Sequence, residues 1–315
     1  MGPVVTVPPA FSFPCTIKGT ASRRRGLRTL LALPPGHDRP IDVLKRDVQS
    51  ILDAVPGDFA VAVRKVEDPR TTVLLNGHES FHAASMMKVP VMIELYRQAR
   101  EGFFRLDDSI RVKNTFRSSV EGARFSLSPD EDSDEALYDC IGEKRPIRTL
   151  MREMIAASSN LATNLLLEIV GADAITQTMR RYGAKRIQVR RGVEDMRAYR
   201  RGSNNETSAH DLLVLFERIA RGRAVSENAS QEMVALLKKQ EHTDMIPARL
   251  PEAVEVAHKT GWIPGVRHDA GIVYVPGGPT YVLVFLAKGL GAGRAGKDAC
   301  ARVSRRVFDS LVGGD

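Results

Sequence analysis

Cysteine is scarce in this 315-residue chain, and its three copies, Cys15, Cys140 and Cys300, stand far apart. That spacing excludes a disulfide framework and a zinc site, because both need paired or clustered ligands. The three are expected to be plain core or surface residues. The histidines are no better placed, since His78, His82, His242, His258 and His268 lack metal-ligand spacing. No apolar run approaches the roughly 20 residues needed to cross a bilayer, so no membrane span is expected. Aromatics amount to 6% of the chain. Between Arg180 and Arg201 nine basic residues (Arg180, Arg181, Lys185, Arg186, Arg190, Arg191, Arg197, Arg200 and Arg201) face only two acids, Glu194 and Asp195. Few aromatics beyond Tyr182 and Tyr199 interleave them, and no recognition motif accompanies them, so a solvated surface is expected there and no nucleic-acid partner.

What is present is an ordinary globular composition. Hydrophobic residues make up 43% and charged residues 27%, which excludes global disorder, and the length allows one large domain or two. Lys plus Arg (46) exceed Asp plus Glu (38) by eight, a net charge of +8 that bears on solubility and anionic partners, not on fold. The first forty residues are expected to be an extension. Ser22-Arg23-Arg24-Arg25 followed by Leu30 to Leu33 has the order of an export signal, but the apolar run is short and Pro34-Pro35 ends it.

Ile41, Leu44, Val48, Ile51, Leu52 and Val55 recur at helical spacing before Pro56-Gly57. Phe59 to Val66 and Thr71 to Leu75, separated by Asp68-Pro69, read as a hairpin. Helical patterns follow over Ser85 to Arg100, Ile147 to Ala157, Leu161 to Val170, Ala174 to Tyr182 and Ala209 to Arg221, with Gly102, Gly171, Gly183 and Gly222 as stops. Strand-like runs return over Val254 to Trp262, Gly271 to Val275 and Thr280 to Ala287, before a helix from about Lys297 to Leu311. This order predicts an α/β (α+β) fold: an antiparallel sheet formed from both chain ends with flanking helices, plus an inserted all-helical domain. Residues 41–82 and 223–315 are assigned to the α/β part and 83–222 to the helical part, with the ligand cleft between them. The acidic segment Ser128 to Glu135 lacks the glycine and terminal glutamate of a calcium loop and is expected to be a solvated loop.

Three triplets carry chemistry. Ser85-Met86-Met87-Lys88 opens a helix, and positions three apart share a face, so the Lys88 amine is within reach of the Ser85 hydroxyl. Ser158-Ser159-Asn160 interrupts two helical runs, where serine and asparagine ordinarily serve as caps. Lys259-Thr260-Gly261 lies on a strand-like run, where an edge lysine and a bulge glycine are the plainer explanation. Any one of these occurs by chance. Together, in this order and within Phe81 to Pro90, Ser158 to Leu167 and His258 to Gly261, they resemble the signature of class A serine β-lactamases and penicillin-recognising serine hydrolases over about Ile41 to the C-terminus.

The resemblance implies that Ser85 is the acyl-accepting nucleophile and Lys88 its base or proton relay. Ser158 would pass a proton to the leaving nitrogen, helped by Lys259, while Asn160 would bind the substrate's side-chain amide. The N–H groups of Ser85 and Trp262 would form an oxyanion hole, Gly261 would let the substrate approach, and Thr260 would bind a carboxylate. It further implies a small-molecule substrate, a β-lactam or a peptidoglycan peptide, a monomer without cofactor or metal, and a periplasmic or secreted location.

Three departures stand out. The aspartate of the family's Ser-Asp-Asn is Ser159 here. The deacylating glutamate has only Glu194 and Asp195 as counterparts, in Arg191 to Arg197, and the asparagine expected after it is Ala198. The arginine expected before Gly271 is Ala270, with Arg267 or His268 as replacements. The sequence thus leaves two enzymatic readings open, a β-lactamase if Glu194 faces Ser85, and a D-alanyl-D-alanine peptidase or esterase with slow deacylation if Glu194 pairs with Arg191 or Arg197. A non-catalytic binder of cell-wall polymers is the reading from another class.

Overall fold

A computed structural model describes residues 40–313. The signal-like segment and Cys15 lie outside the described residues. In chain order come α1 (Pro40–Asp53), β1 (Asp58–Lys65), β2 (Thr72–Leu75) and β3 (Phe81–His82). A 3-10 turn over Ala84–Met87 leads into α2 (Lys88–Arg100). An excursion follows, with β4 (Ser109–Arg111), the small hairpin of β5 (Phe116–Arg117) and β6 (Arg124–Phe125), and β7 (Lys144–Pro146), which closes it by pairing with β4. Then come α3 (Ile147–Ile155), α4 (Asn160–Val170), α5 (Ala172–Arg181), α6 (Met196–Arg200), β8 (Glu206–Thr207), α7 (Ala209–Ala220) and α8 (Glu227–Leu237). The chain ends with β9 (Glu255–Ile263), β10 (Val266–Tyr274), β11 (Thr280–Lys288) and α9 (Ala295–Val312).

The main sheet is antiparallel in the order β2-β1-β11-β10-β9, so an early hairpin and a late meander share one sheet. β1 meets β11 from Asp58 opposite Lys288 to Lys65 opposite Tyr281. Alternation along these strands sorts the core into two layers. Phe59, Val61, Val63, Leu283 and Phe285 pack with α1 and α9, where Leu44, Val48 and Leu52 make one helical stripe. Ala60, Ala62, Val282, Val284 and Leu286 face the other way, into the cluster built by α2, α3, α4, α7 and α8. Both faces are covered, which is why β11 reads as a continuous apolar run rather than an alternating one.

Four differences from the sequence expectations have physical causes. The helix expected from Ser85 begins as a 3-10 turn. β10 starts at Val266, five residues before the expected Gly271, because His268 and Asp269 are fully buried polar residues satisfied inside the fold. α8 was not expected, although Ser226 caps it by accepting from Ala229 N–H and Met233 and Leu237 fall on its buried side. Finally, the acidic segment is not simply solvated: Asp132 is buried and accepts the backbone N–H groups of Asn160 and Leu161. Cys300 is a core residue, and Cys140 is half-buried beside Arg145. Among the described residues no helix is long and apolar enough to cross a membrane.

Candidate active site

Ser85 sits in the 3-10 turn at the head of α2, one residue after Ala84, whose φ of 44° is left-handed. Such a conformation is uncommon outside glycine and persists where neighbours enforce it. Here they do: Ala84 N–H donates to His82 Nδ1 at 3.0 Å, and Ala83 N–H donates to the Asn205 carbonyl at 2.8 Å. β9 runs along the same turn. A Cβ on Gly261 would lie 3.2 Å from Ser85 N and 3.3 Å from Met86 N, so only glycine lets the strand come this close without displacing the turn.

Two lysines meet at one hydroxyl. Lys88 and Lys259 are both fully buried, and each donates to Ser158 Oγ, at 3.1 and 3.0 Å. Lys88 Nζ also donates to the Ser158 carbonyl at 2.5 Å and to Asn160 Oδ1 at 2.9 Å, and Lys259 Nζ to the Thr260 carbonyl at 2.9 Å. Burial disfavours an ammonium ion. It draws the Lys88 pKa down to about 7, against the opposing pull of Asp132 and Glu194. Lys259 is held well below the ordinary lysine range by burial and by the charge of Lys88. Ser158 adopts a left-handed φ of 66°, and this turn carries its carbonyl and hydroxyl to the same amine.

Glu194 completes a second bridge. Its Oε1 accepts Asn160 Nδ2 at 3.1 Å, so one amide side chain links Lys88 to Glu194. Its Oε2 accepts Ser128 N–H at 3.4 Å, and burial raises its pKa above the usual carboxylate value. The neighbouring arginines are engaged elsewhere: Arg191 donates to the Gly192 carbonyl and Asn204 and stacks over Tyr199, and Arg197 pairs with Glu121 at 3.5 Å.

Residues 190–205 form the loop that presents Glu194, and polar side chains pin it from three directions. Asn164, buried on α4, accepts Val193 N–H at 2.7 Å and donates to the Val193 carbonyl at 3.0 Å. Gly192 permits this contact, since a Cβ there would lie 2.8 Å from Asn164 Oδ1. Asn205 accepts the N–H groups of Arg190 and Arg191 and donates to the Arg191 carbonyl, closing the loop at its base. Asp195 caps α6 at Ala198 N–H and takes the Ser118 hydroxyl and the Ser119 N–H from the excursion.

On the sheet side, Thr260 is buried while Trp262 is 58% exposed, with the Arg267 guanidinium 5.5 Å from its ring centre. Arg267 Nη1 donates to the carbonyls of Ile263 and Val266 within the hairpin. His268 is internal: its Nε2 lies 2.9 Å from the His82 carbonyl, its Nδ1 accepts Ala287 N–H, and burial lowers its pKa to about 4. It is therefore a neutral tie between β10 and the segment before Ser85. Ala270 lies opposite Lys259, its side chain in the core.

Residues 43–311 match the model of the Beta-lactamase enzyme family. The chain belongs to that family. The extended-spectrum β-lactamase PER-1 of Pseudomonas aeruginosa is 24% identical over 289 residues, covering 84% of this chain and 86% of that protein. Among solved structures, a β-lactamase of Sphaerobacter thermophilus (TM-score 0.69, 24% identity) covers 86% of this chain and 96% of its own. PBP-A (0.72, 24%) covers 89% and 98%, and the extended-spectrum β-lactamase TLA-1 (0.76, 19%) covers 87% and 100%. These structural likenesses describe the fold. Membership of the β-lactamase family supports β-lactam hydrolysis.

Within this candidate site of the β-lactamase-family chain, Lys88, Ser158, Asn160, Glu194 and Lys259 are joined by hydrogen bonds, and Gly261 lies against the Ser85 turn. Asn164, Asn205 and Asp132 were not among the expected site residues, and Asp195, named beside Glu194 as a counterpart of the deacylating glutamate, instead holds the loop in place. Asn164 carried a signal, standing one helical turn after Asn160 on the same face. Asp195 carried another, as an N-cap three residues before Ala198. Asn205 and Asp132 bind backbone groups distant in sequence, which no local pattern announces.

Proposed function

We propose that the protein is a serine β-lactamase of the class A type, opening the cyclic amide through an acyl-enzyme on Ser85. The observation that supports this most is the Asn160 bridge, which puts Glu194 and Lys88 on one side chain beside the hydroxyl shared by the two lysines. With its pKa near 7, Lys88 is a substantial fraction neutral at physiological pH and takes the Ser85 proton as Oγ bonds to the lactam carbonyl carbon. The N–H groups of Ser85 and Trp262 hold the oxyanion. As the C–N bond breaks, the ring nitrogen takes the Ser158 proton, and Ser158 is reprotonated through Lys88 or Lys259. Glu194, a stronger base for its burial, then takes a proton from a water as the water oxygen bonds to the acyl carbon, and that proton passes on to Ser85 Oγ as the Oγ–acyl bond breaks, restoring the free enzyme. Thr260 binds the substrate carboxylate. Of the two arginine substitutes Arg267 remains, beside Trp262, because His268 is neutral and internal. The enzyme acts as a monomer, without metal or cofactor, in the periplasm or outside the cell.

Slow deacylation, as in a D-alanyl-D-alanine peptidase or esterase, has one observation in its favour: Ala198 is buried and offers no amide to hold a water beside Glu194. Mass spectrometry of the protein mixed with penicillin separates the readings. Rapid return to the free mass with nitrocefin turnover, both lost in Ser85→Ala, is the expected result. A lasting adduct on Ser85 favours the slow acylating enzyme, and no adduct with no turnover would leave a non-catalytic wall-binding protein.

A further inference from the structure

The motif position that carries an aspartate in the resembled enzymes is Ser159, whose fully buried side chain caps α4 by accepting Ala162 N–H at 3.2 Å. A carboxylate nevertheless reaches the same turn from elsewhere. Asp132, 7% exposed, lies in the excursion between β4 and β7. Its Oδ1 and Oδ2 lie 2.8 and 3.0 Å from Asn160 N, and Oδ2 also accepts Leu161 N–H at 2.8 Å and the Tyr138 hydroxyl at 3.0 Å. Asp134 N–H approaches Oδ1 at 3.3 Å. Asn160 and Leu161 open α4, so their N–H groups have no partner within the helix, and an anion there is favoured by the helix dipole. Ser159 and Asp132 thus divide the first-turn amides between them.

We propose that Asp132 is a positioning residue of the catalytic centre: its carboxylate fixes the Ser158–Asn160 turn toward the two lysines and supplies the negative charge that the motif lacks at Ser159. The inference rests on the β-lactamase reading of Ser85, Lys88 and Ser158. Holding Asn160 N–H and Leu161 N–H anchors the turn two residues after the left-handed Ser158, so both residues that accept from the Lys88 amine, Ser158 and Asn160, depend on it. The charged groups acting on Lys88 are Asp132 from the excursion, Glu194 from the 190–205 loop and Lys259 from β9. Asp132 and Glu194 favour the ammonium form, and Lys259 opposes it. Without Asp132, Lys88 loses its proton at a lower pH.

Asp132→Asn is isosteric and keeps an acceptor for one amide while removing the charge. Its acylation by penicillin, followed by mass at Ser85, is expected to slow by about 10–100-fold, as small misplacements of reacting groups do. The Lys88 titration, read from the 13Cε signal of labelled lysine, is expected to move below its wild-type midpoint. Adding Ser159→Asp to Asp132→Asn is expected to recover acylation about tenfold, the carboxylate having been returned to the turn. Asp132→Glu keeps the charge but displaces it, and is expected to slow acylation while leaving the Lys88 midpoint in place; it serves as the test should Asp132→Asn fold poorly. Acylation within twofold of wild type in both single variants, with an unmoved Lys88 titration in Asp132→Asn, would overturn the proposal. A lower melting temperature with unchanged acylation per folded molecule would reduce Asp132 to a helix cap and overturn it too. If wild type itself takes no penicillin, the β-lactamase reading fails, and the lysine titration still reports whether Asp132 sets the charge at Lys88.

Discussion

Lys88, Ser158 and Lys259 are carried by α2, the turn before α4 and β9, whereas Glu194 hangs on the 190–205 loop, whose only helix is the five-residue α6. The first group is placed by backbone: a 3-10 turn, a left-handed serine and a strand pressed against the turn through Gly261. The second is placed by side chains that bond to loop backbone, chiefly Asn164 and Asn205. In the proposed reaction these are the acylating and deacylating halves of one cycle, so each half should fail separately when its own supports are removed.

The widest separation is expected at the reacting groups. Ser85→Ala should abolish both the penicillin adduct and nitrocefin turnover, a fall on the order of 10⁶-fold for a nucleophile. Glu194→Gln should leave acylation nearly intact and slow deacylation by about 10²–10⁴-fold, so that the adduct builds up in the mass spectrum. A smaller effect is expected from pH. If the neutral Lys88 amine is the base, as the proposed reaction has it, single-turnover acylation should rise through a midpoint near pH 7 and fall about tenfold per unit below it. Acylation independent of pH between 5 and 8 would remove Lys88 from that role.

Asn164→Ala tests the loop's support rather than its chemistry. It leaves both backbone groups of Val193 without their partner, which should lower stability by about 1–3 kcal/mol. Deacylation should slow several-fold with acylation little changed. The smallest effect belongs to Arg197→Ala, which breaks only an exposed pair with Glu121. Unfolding by denaturant should shift by less than about 0.5 kcal/mol, and neither rate should change. A large loss of deacylation there would mean that Glu194 depends on its arginine neighbours after all.

This division also decides what could be read from the sequence. The three triplets are legible because each combines a reactive side chain with a backbone demand in a few consecutive residues. α1 and α7 are legible because their buried residues repeat at helical spacing, and α4 because an apolar run of helix length lies between the Ser158–Asn160 break and Gly171. The first half of β10 is not, since His268 and Asp269 look like loop residues until the His82 carbonyl, Ala287 N–H, His258 and Ile246 N–H are seen to satisfy them. Asp132 fails for the same reason, as a charged residue in an acidic stretch reads as solvated unless its backbone partners, 28 residues away in Asn160, are known. Polar burial is set by tertiary contacts, and hydrophobic periodicity carries no trace of it.

The pairing of β1 with β11 bears on how the chain must be made. Synthesis proceeds from the N-terminus, so the β1–β2 hairpin emerges with apolar residues on both faces long before its central partner, which ends at Lys288, exists. Sequence-distant pairing of this kind is slow and leaves strand edges open to other chains in the interval. The helices that carry Ser85, Lys88 and Asn160 are likewise complete before β9 brings Lys259. The sheet cannot close while β9 to β11 are still being added, and a nascent chain released before then would carry Ser85 and Lys88 without Lys259 beside Ser158.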